Sequence, residues 1–127
     1  MKNKLYIKLP AGSSQLEVIE QDMDSDYDFW RKQIGCRMIE IVQPVGLPED
    51  YCLIADEEGL FRDPLVLSPI ASILYGVKEH GNPIVGNALI AKNVFEPDGI
   101  DTVPLDESDI GILVEHINGE IQKYLAD

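Results

Sequence analysis

Residues 33–42 read QIGCRMIEIV, a helix end that passes through Gly35 into a strand-like run. Glycine adopts the left-handed conformation without a Cβ penalty, so Gly35 lets the helix stop and the strand begin with almost no loop. In residues 36–42 both alternating sets of side chains are largely apolar, which is typical of a strand covered on two faces. The stretch therefore predicts a central strand of the sheet, preceded by a stiff junction.

The flanking sequence predicts further short elements. Alternating apolar runs indicate strands at residues 4–9, 16–20, 51–55, 60–61 and 84–91, the last with a bulge or close backbone approach at Gly86. Capping patterns indicate helices that begin after Ser25, Ser68 and Asp106. We predict an α+β fold in which a mixed, mainly antiparallel sheet of about five strands is covered by two or three helices, within a single domain over residues 1–127.

Two local predictions concern packing and turns. Trp30 lies on the apolar side of the first helix, so it is expected to be buried against Ile39 or Ile41 of the strand that follows. Gly59 ends the turn after residues 51–55, where positive φ is expected. The last helix is expected to continue through the turn signal at residues 118–119, because an unbroken apolar stripe crosses it.

The charge of the chain is strongly negative, at −13, from 23 acidic against 10 basic residues. Residues 15–28 hold six acids and no base, and residues 94–127 hold nine acids and one lysine. Direct nucleic-acid binding is disfavoured, because phosphate contacts need Lys and Arg. The simplest interpretation is a solvated acidic surface.

Cysteine usage and hydropathy indicate a cytoplasmic protein without membrane contact. Cys36 and Cys52 both lie in apolar runs, as reduced core cysteines do. The chain shows neither a signal-peptide pattern nor an apolar run long enough to span a bilayer. The sequence predicts no particular oligomeric state.

The spacing of Asp22, Asp24 and Asp26 opens like a calcium-binding loop. Such a loop needs glycine at its sixth position and glutamate at its twelfth, where this chain has Tyr27 and Gln33. The pattern favours instead acidic residues at a helix N-terminus, where the helix dipole stabilises negative charge.

The remaining metal-binding and nucleophilic side chains are sparse. Neither the two cysteines nor His80 and His116 form the close pairs that zinc sites use. A catalytic thiol would need an adjacent imidazole, and both thiols are expected in strand interiors. We predict no catalytic residue, no cofactor and no metal.

Glu40 interrupts an otherwise apolar face of the predicted central strand. If it is buried, its carboxylate needs a partner or has a raised pKa, and it becomes a candidate buried polar residue of a binding site or structural network. If that end of the face is solvated, or a lysine lies across from it, Glu40 is an ordinary surface residue.

The order of several motifs carries a family resemblance. The motifs are QIG at 33–35, MIEIV at 38–42, IADEEGL at 54–60, LYG at 74–76 and PIVGNALI at 83–90. Together they resemble uncharacterised small domains of bacterial phages, plasmids and other mobile elements, which carry only a domain-of-unknown-function label. The resemblance covers roughly residues 4–91. It implies a mobile-element type of bacterial protein and brings no catalytic residue with it.

These observations favour a non-enzymatic accessory protein that binds a protein or a small ligand. An alternative is an acidic DNA mimic that occupies a host DNA-binding protein, with a candidate partner surface at Asp22, Asp24, Asp26, Asp56, Glu57 and Glu58. A second alternative is an enzyme whose active site the sequence does not reveal.

Overall fold

The computed structural model describes residues 3–126, in which strands and helices form the predicted α+β fold. The strands are β1 (Leu5–Leu9), β2 (Glu17–Glu20), β3 (Ile39–Val42), β4 (Tyr51–Asp56), β5 (Ala88–Glu96) and β6 (Gly99–Val103). The helices are α1 (Asp26–Ile34), α2 (Pro69–Tyr75), α3 (Val77–His80) and α4 (Glu107–Ala126), and a single 3₁₀ turn spans Gly59–Phe61.

The strands form one antiparallel sheet in the order β2-β1-β5-β4-β3, with β6 also paired to β5. The first half of β5 lies between β1 and β4. The pairing with β4 stops at Lys92, which lies opposite Tyr51, the first residue of β4. From Lys92 onward the second half of β5 forms a hairpin with β6. The sheet therefore has two distinct ends, the hairpin end and the end where β1 and β4 finish and β5 begins.

Helices cover both faces of the sheet, and the strand alternation divides the core between them. Side chains such as Leu53 and Ile90 belong to the larger core with residues of α2 and α4. Their neighbours Cys52 and Leu89 belong to the smaller core with residues of α1. Because both cores are buried, β4 and β5 contribute apolar side chains to both faces, as expected of central strands.

The predicted central strand at residues 36–42 is wrong in place and in length. β3 begins only at Ile39, so residues 36–38 form a loop after α1. Within the described chain β3 pairs with β4 and forms an edge of the sheet. All six residues of β4 are buried, and β4 and β5 occupy the centre instead. Alternation reports which faces are apolar, whereas strand order depends on pairing with distant residues.

The helix end before this loop agrees with the prediction. Gly35 has φ +77° and donates its N–H to the carbonyl of Arg31 at 2.8 Å. Trp30 is buried in the smaller core, against which Ile39 packs, whereas Ile41 is exposed. The α1 end and the first residue of β3 thus meet as expected, although a loop separates them.

The predicted helix starts are also confirmed in position. Ser25 caps α1 by accepting a hydrogen bond from the Asp28 N–H at 3.2 Å. Ser68 precedes α2, but its hydroxyl donates to the carbonyl of Leu9 at 3.0 Å instead of capping the helix. α4 runs without a break through residues 118–119, because its apolar stripe packs on the sheet.

Three local predictions are wrong. Residues 60–61 belong to the 3₁₀ turn and not to a strand. Gly59 is not among the glycines with positive φ, and a Cβ there would lie 3.1 Å from Val85, so close backbone approach explains this glycine. The strand predicted at residues 84–91 begins only at Ala88, so Gly86, with φ +84° and nothing within 4 Å of a Cβ placed there, is neither a bulge nor a close backbone approach. The continuation of β5 into the β6 hairpin was not predicted.

Candidate functional site

The six acids of the predicted partner surface fall into two groups. The first group lies before and at the start of α1 and consists of Asp22, Asp24 and Asp26. The second group lies at the end of β4 and in the turn after it and consists of Asp56, Glu57 and Glu58. In the first group, a carboxylate oxygen of Asp22 lies 3.8 Å from Lys32 Nζ. In the second group, Glu58 lies 3.0 Å from a terminal nitrogen of Arg37. Both cations line the same groove. Positive side chains therefore interrupt the acidic array that DNA mimicry would need.

Asp56 is buried, unlike the other five acids of this set. Its two carboxylate oxygens accept hydrogen bonds from Arg62, at 2.9 Å from Nε and 3.3 Å from a terminal nitrogen, and one also accepts from the Glu58 N–H at 2.9 Å. A bidentate Arg–carboxylate pair fixes both partners in orientation. Asp56 therefore acts as an internal anchor for Arg62 and is not available as a partner contact.

Glu40 is exposed, so of the two alternatives the solvated surface residue applies and the candidate buried polar residue does not. As part of an edge strand, it lines a cavity of about 160 Å³ together with Glu57 and Tyr75. Partial loss of hydration, followed by repulsion from Glu57 and Asp56, raises the pKa of Glu40 above its ordinary value. The residue faces the α2 side of the sheet but remains reachable by water.

The segment at residues 60–67, which we call the apolar loop, lies beside the turn that holds Asp56. All eight residues are exposed, and five of them are large and apolar: Leu60, Phe61, Leu65, Val66 and Leu67. Phe61 is 88% exposed. Scattered exposed apolar residues are ordinary, but a run of this length is typical of an interaction site. This surface was not predicted, because most of these residues were assigned to a connection between elements.

The apolar loop is attached at both ends, to β4 and to the segments that follow β1 and precede β5. The Arg62–Asp56 ion pair holds its first part, and the carbonyls of Val66 and Leu67 accept hydrogen bonds from the N–H groups of Gly86 and Gly12 at 2.8 and 2.7 Å. A surface loop that is already ordered loses little conformational entropy when it binds. The exposed side chains are therefore presented on a fixed backbone.

A groove of about 770 Å³ lies next to the apolar loop, between the C-terminal part of α1 and the turn after β4. Its lining includes four of the ten Lys and Arg residues of the chain, Arg31, Lys32, Arg37 and Arg62, together with the acids Asp28 and Glu58. We call it the cationic groove. The charged side chains lining the small cavity at Glu40 and the hollow at the β5–β6 hairpin tip are all acidic. A fourth hollow, between α3 and α4, is lined by two lysines and two glutamates, so the cationic groove is the one of these four with more cations than acids.

The thiols and the imidazoles lie on opposite faces of the sheet. Cys36 and Cys52 pack in the smaller core, and burial raises the pKa of both, that of Cys52 to about 11. His80 stacks on Tyr75, and His116 Nε2 lies 2.8 Å from the carbonyl oxygen of Gly46, both on the side of α2 and α4. A nucleophilic thiol needs a lowered pKa, and this arrangement gives the opposite.

A buried polar network that was not predicted from the sequence lies at the hairpin end. Asp109, 4% exposed, accepts hydrogen bonds from the Tyr51 hydroxyl at 2.7 Å, from Lys92 Nζ at 3.3 Å and from the Asp106 N–H at 2.8 Å. Burial alone would raise the pKa of Asp109, but these hydrogen bonds outweigh it, and the pKa is lowered. The network fastens the first turn of α4 to β4 and β5.

Comparisons with known proteins add no relationship: no family model matches the chain, nor does any curated protein or solved structure. Two further absences hold for the described residues, 3–126. No group of three His, Cys, Asp or Glu side chains there is arranged to hold a metal ion. No helix in that range is long and apolar enough to cross a membrane.

Proposed function

We propose that this chain is a non-enzymatic accessory protein that binds a partner protein through the apolar loop. The main support is Phe61, an almost fully exposed aromatic side chain on a backbone fixed by the Arg62–Asp56 pair. Aromatic residues that enter a partner's pocket often dominate binding energy. A monomer gains nothing by exposing such a residue, because burying its apolar surface would be favourable.

The charges beside the apolar loop define the partner's chemistry. Arg62 and Asp63 lie within the loop, and the adjoining groove is lined by four cations, Arg37 and Arg62 among them, against two acids. We therefore propose a partner that presents an apolar side chain flanked by carboxylates or other anionic groups, which complements these cations. Binding by a second copy of this chain is a competing outcome that the experiment below separates.

Catalysis has less support than binding. The two thiols have raised pKa values and the imidazoles lie across the sheet from them. The resemblance to mobile-element domains supports an accessory role in a bacterial cytoplasm, and we include that role in the proposal. The DNA-mimic alternative has no supporting geometry, because Lys32 and Arg37 lie between the two acidic groups.

The test compares three forms of the protein, namely wild type, Phe61→Ala and Leu125→Ala. Leu125 is 75% exposed near the end of α4, outside the proposed surface, so Leu125→Ala is a matched loss of exposed apolar area. Proteins retained from a bacterial lysate by the wild type are identified, purified singly and titrated against each form. We expect Phe61→Ala to weaken binding about tenfold or more, as aromatic hot spots do, and Leu125→Ala to leave it unchanged.

Equal loss in both variants, or no loss in Phe61→Ala, contradicts the proposal. Light scattering coupled to gel filtration tests self-association, and a dimer that dissociates in Phe61→Ala would replace the proposed partner by a second copy. The mimic alternative predicts instead that changing the six acids of the two groups to amides abolishes competition with DNA for a host protein while Phe61→Ala does not.

A further inference from the structure

The cationic groove carries a second inference, which goes beyond the proposed function. We propose that it is a binding site for a multiply charged oxyanion of the phosphate class, such as a phosphate monoester or a pyrophosphate group. Three arginines and a lysine line it, and guanidinium groups match the geometry of phosphate oxygens. The site is built from α1, the loop after it and the turn after β4.

One of the four cations, Arg62, is anchored, and a second, Arg37, makes a single short bond although its side chain is 71% exposed. Arg62 is bound bidentately by the buried Asp56, and Arg37 lies 3.0 Å from Glu58. Each guanidinium has five N–H donors, so these bonds orient the groups and leave other donors free for an acceptor in the groove. Preorganised donors bind an anion without the entropy cost of being ordered.

The other two cations are held loosely. Arg31 and Lys32 each approach a carboxylate only to 3.8 Å, at Asp28 and Asp22, which is longer than a hydrogen bond. In both pairs the cation and the carboxylate are each at least 40% exposed, and exposed ion pairs contribute little to stability. In addition, Arg31 Nε is buried and has no hydrogen-bond partner among the described residues. A dianion entering the groove can therefore recruit Arg31 and Lys32 from weak, singly charged partners.

A purely structural role is the competing explanation, since cations are favoured at the C-terminal end of a helix such as α1. That dipole also opposes anion binding, so a single carboxylate gains less from the groove than a phosphate with nearly two charges. The two explanations differ in one measurable respect. A structural role predicts no saturable response to phosphate.

The experiment titrates the full chain with inorganic pyrophosphate at about 0.05 M salt, where screening is weak, and follows the Nε–Hε signals of the arginines by NMR. We expect saturable shifts at Arg31, Arg37 and Arg62. The double variant Lys32→Gln/Arg37→Gln should bind about tenfold or more weakly. The control Lys123→Gln removes an exposed lysine of α4 and should bind like the wild type. If the NMR spectrum of the double variant is not that of a folded protein, Arg37→Lys, which retains the charge but not the guanidinium group, replaces it in the titration.

A peptide containing phosphoserine, its unphosphorylated form and free pyrophosphate distinguish the source of the phosphate. Tighter binding of the phosphopeptide indicates a phosphorylated protein, and equal or tighter binding of pyrophosphate indicates a small molecule. Phe61→Ala should leave pyrophosphate binding unchanged, so this inference and the proposed function can fail separately. No saturable shift, undiminished binding in the double variant, or binding of an oligonucleotide but of neither phosphate probe overturns the inference.

Discussion

The two ends of the sheet are each organised around a buried carboxylate, but the two carboxylates are used differently. Asp109 at the hairpin end accepts hydrogen bonds from Tyr51 of β4, from Lys92 of β5 and from the backbone N–H of Asp106, which directly precedes α4. Asp56 at the other end holds Arg62, whose side chain remains about half exposed. The first carboxylate joins a helix to the sheet, and the second holds a cation at the surface.

This difference explains why the same residue type has opposite consequences for binding. The hydrogen-bonding groups around Asp109 are turned inward, so little capacity is left for a ligand. Around Asp56 the bonds orient a guanidinium that still has donors facing the cationic groove. Stability should therefore depend most on the hairpin end and recognition on the groove end.

The largest expected effect comes from Asp109→Ala. Removing the carboxylate leaves the Tyr51 hydroxyl and Lys92 without their acceptor. We expect a loss of about 3 kcal/mol in the free energy of unfolding, at the low end for a broken buried pair, because water can still reach Lys92. Denaturant unfolding measures it. Glu107→Ala, in the same helix turn but exposed, is the control and should cost less than about 0.5 kcal/mol. Similar losses in both variants would mean that the network contributes no more than a surface acid.

At the groove end, Gly35→Val tests the stiff junction after α1. Gly35 has φ +77° and nothing lies within 4 Å of a Cβ placed there, so the cost is backbone strain alone. We expect a loss of about 1 to 2 kcal/mol in the free energy of unfolding. Gly111→Ala in α4, where a Cβ is also unobstructed, should instead stabilise the protein by about 0.5 to 1 kcal/mol. An unchanged denaturant midpoint for Gly35→Val would show that the junction tolerates a side chain.

The pH dependence of stability should also report the hairpin end. The pKa of Asp109 is lowered on folding, so its contribution is fully present above its unfolded pKa, near 3.8, and is lost as the pH falls through the folded pKa. Urea unfolding measured from neutral pH to below pH 3.8 should show this loss of stability in the wild type. In Asp109→Asn the corresponding slope should be absent. A variant with the same slope as the wild type would assign the acid sensitivity to other carboxylates.

The smallest effect on stability is expected for Asp56→Asn. The amide can still accept a hydrogen bond, and Arg62 is partly hydrated, so the loss should be about 1 kcal/mol or less. The change should appear instead in Arg62, whose Nε–Hε proton should exchange faster with water once the bidentate pair is lost. Unchanged exchange would show that Arg62 does not depend on Asp56 for its position.

How far the sequence predicts this molecule depends on whether the determinants are local. The two ends of α1, at Ser25 and Gly35, were predictable, because a capping side chain and a left-handed glycine act over three or four residues. The position of β3 was not, because an apolar run at an edge and one at the centre differ only in the strands that pair with them.

The candidate site was predicted only in part, for the same reason. The acidic groups are contiguous in sequence and are visible from composition. The cationic groove draws Arg31, Lys32, Arg37 and Arg62 from α1, a loop and a turn, which meet only after folding. The apolar loop had one local signal, the run Leu65–Leu67 within a predicted connection. Such a run should have been assigned either to a buried strand or to an exposed binding surface.

The β5–β6 hairpin has a consequence for how the protein behaves at high concentration. Its tip exposes Phe95 and Ile100 on strands that continue beyond β4, a geometry that invites pairing between molecules. Glu96, Asp98 and Asp101 at the same tip act as gatekeepers, since like charges keep two tips apart. This protection should weaken near the isoelectric point of about 4.3, where the net charge of the whole protein falls to zero and molecules no longer repel one another. Light scattering should then rise for the wild type and much less for Phe95→Ser.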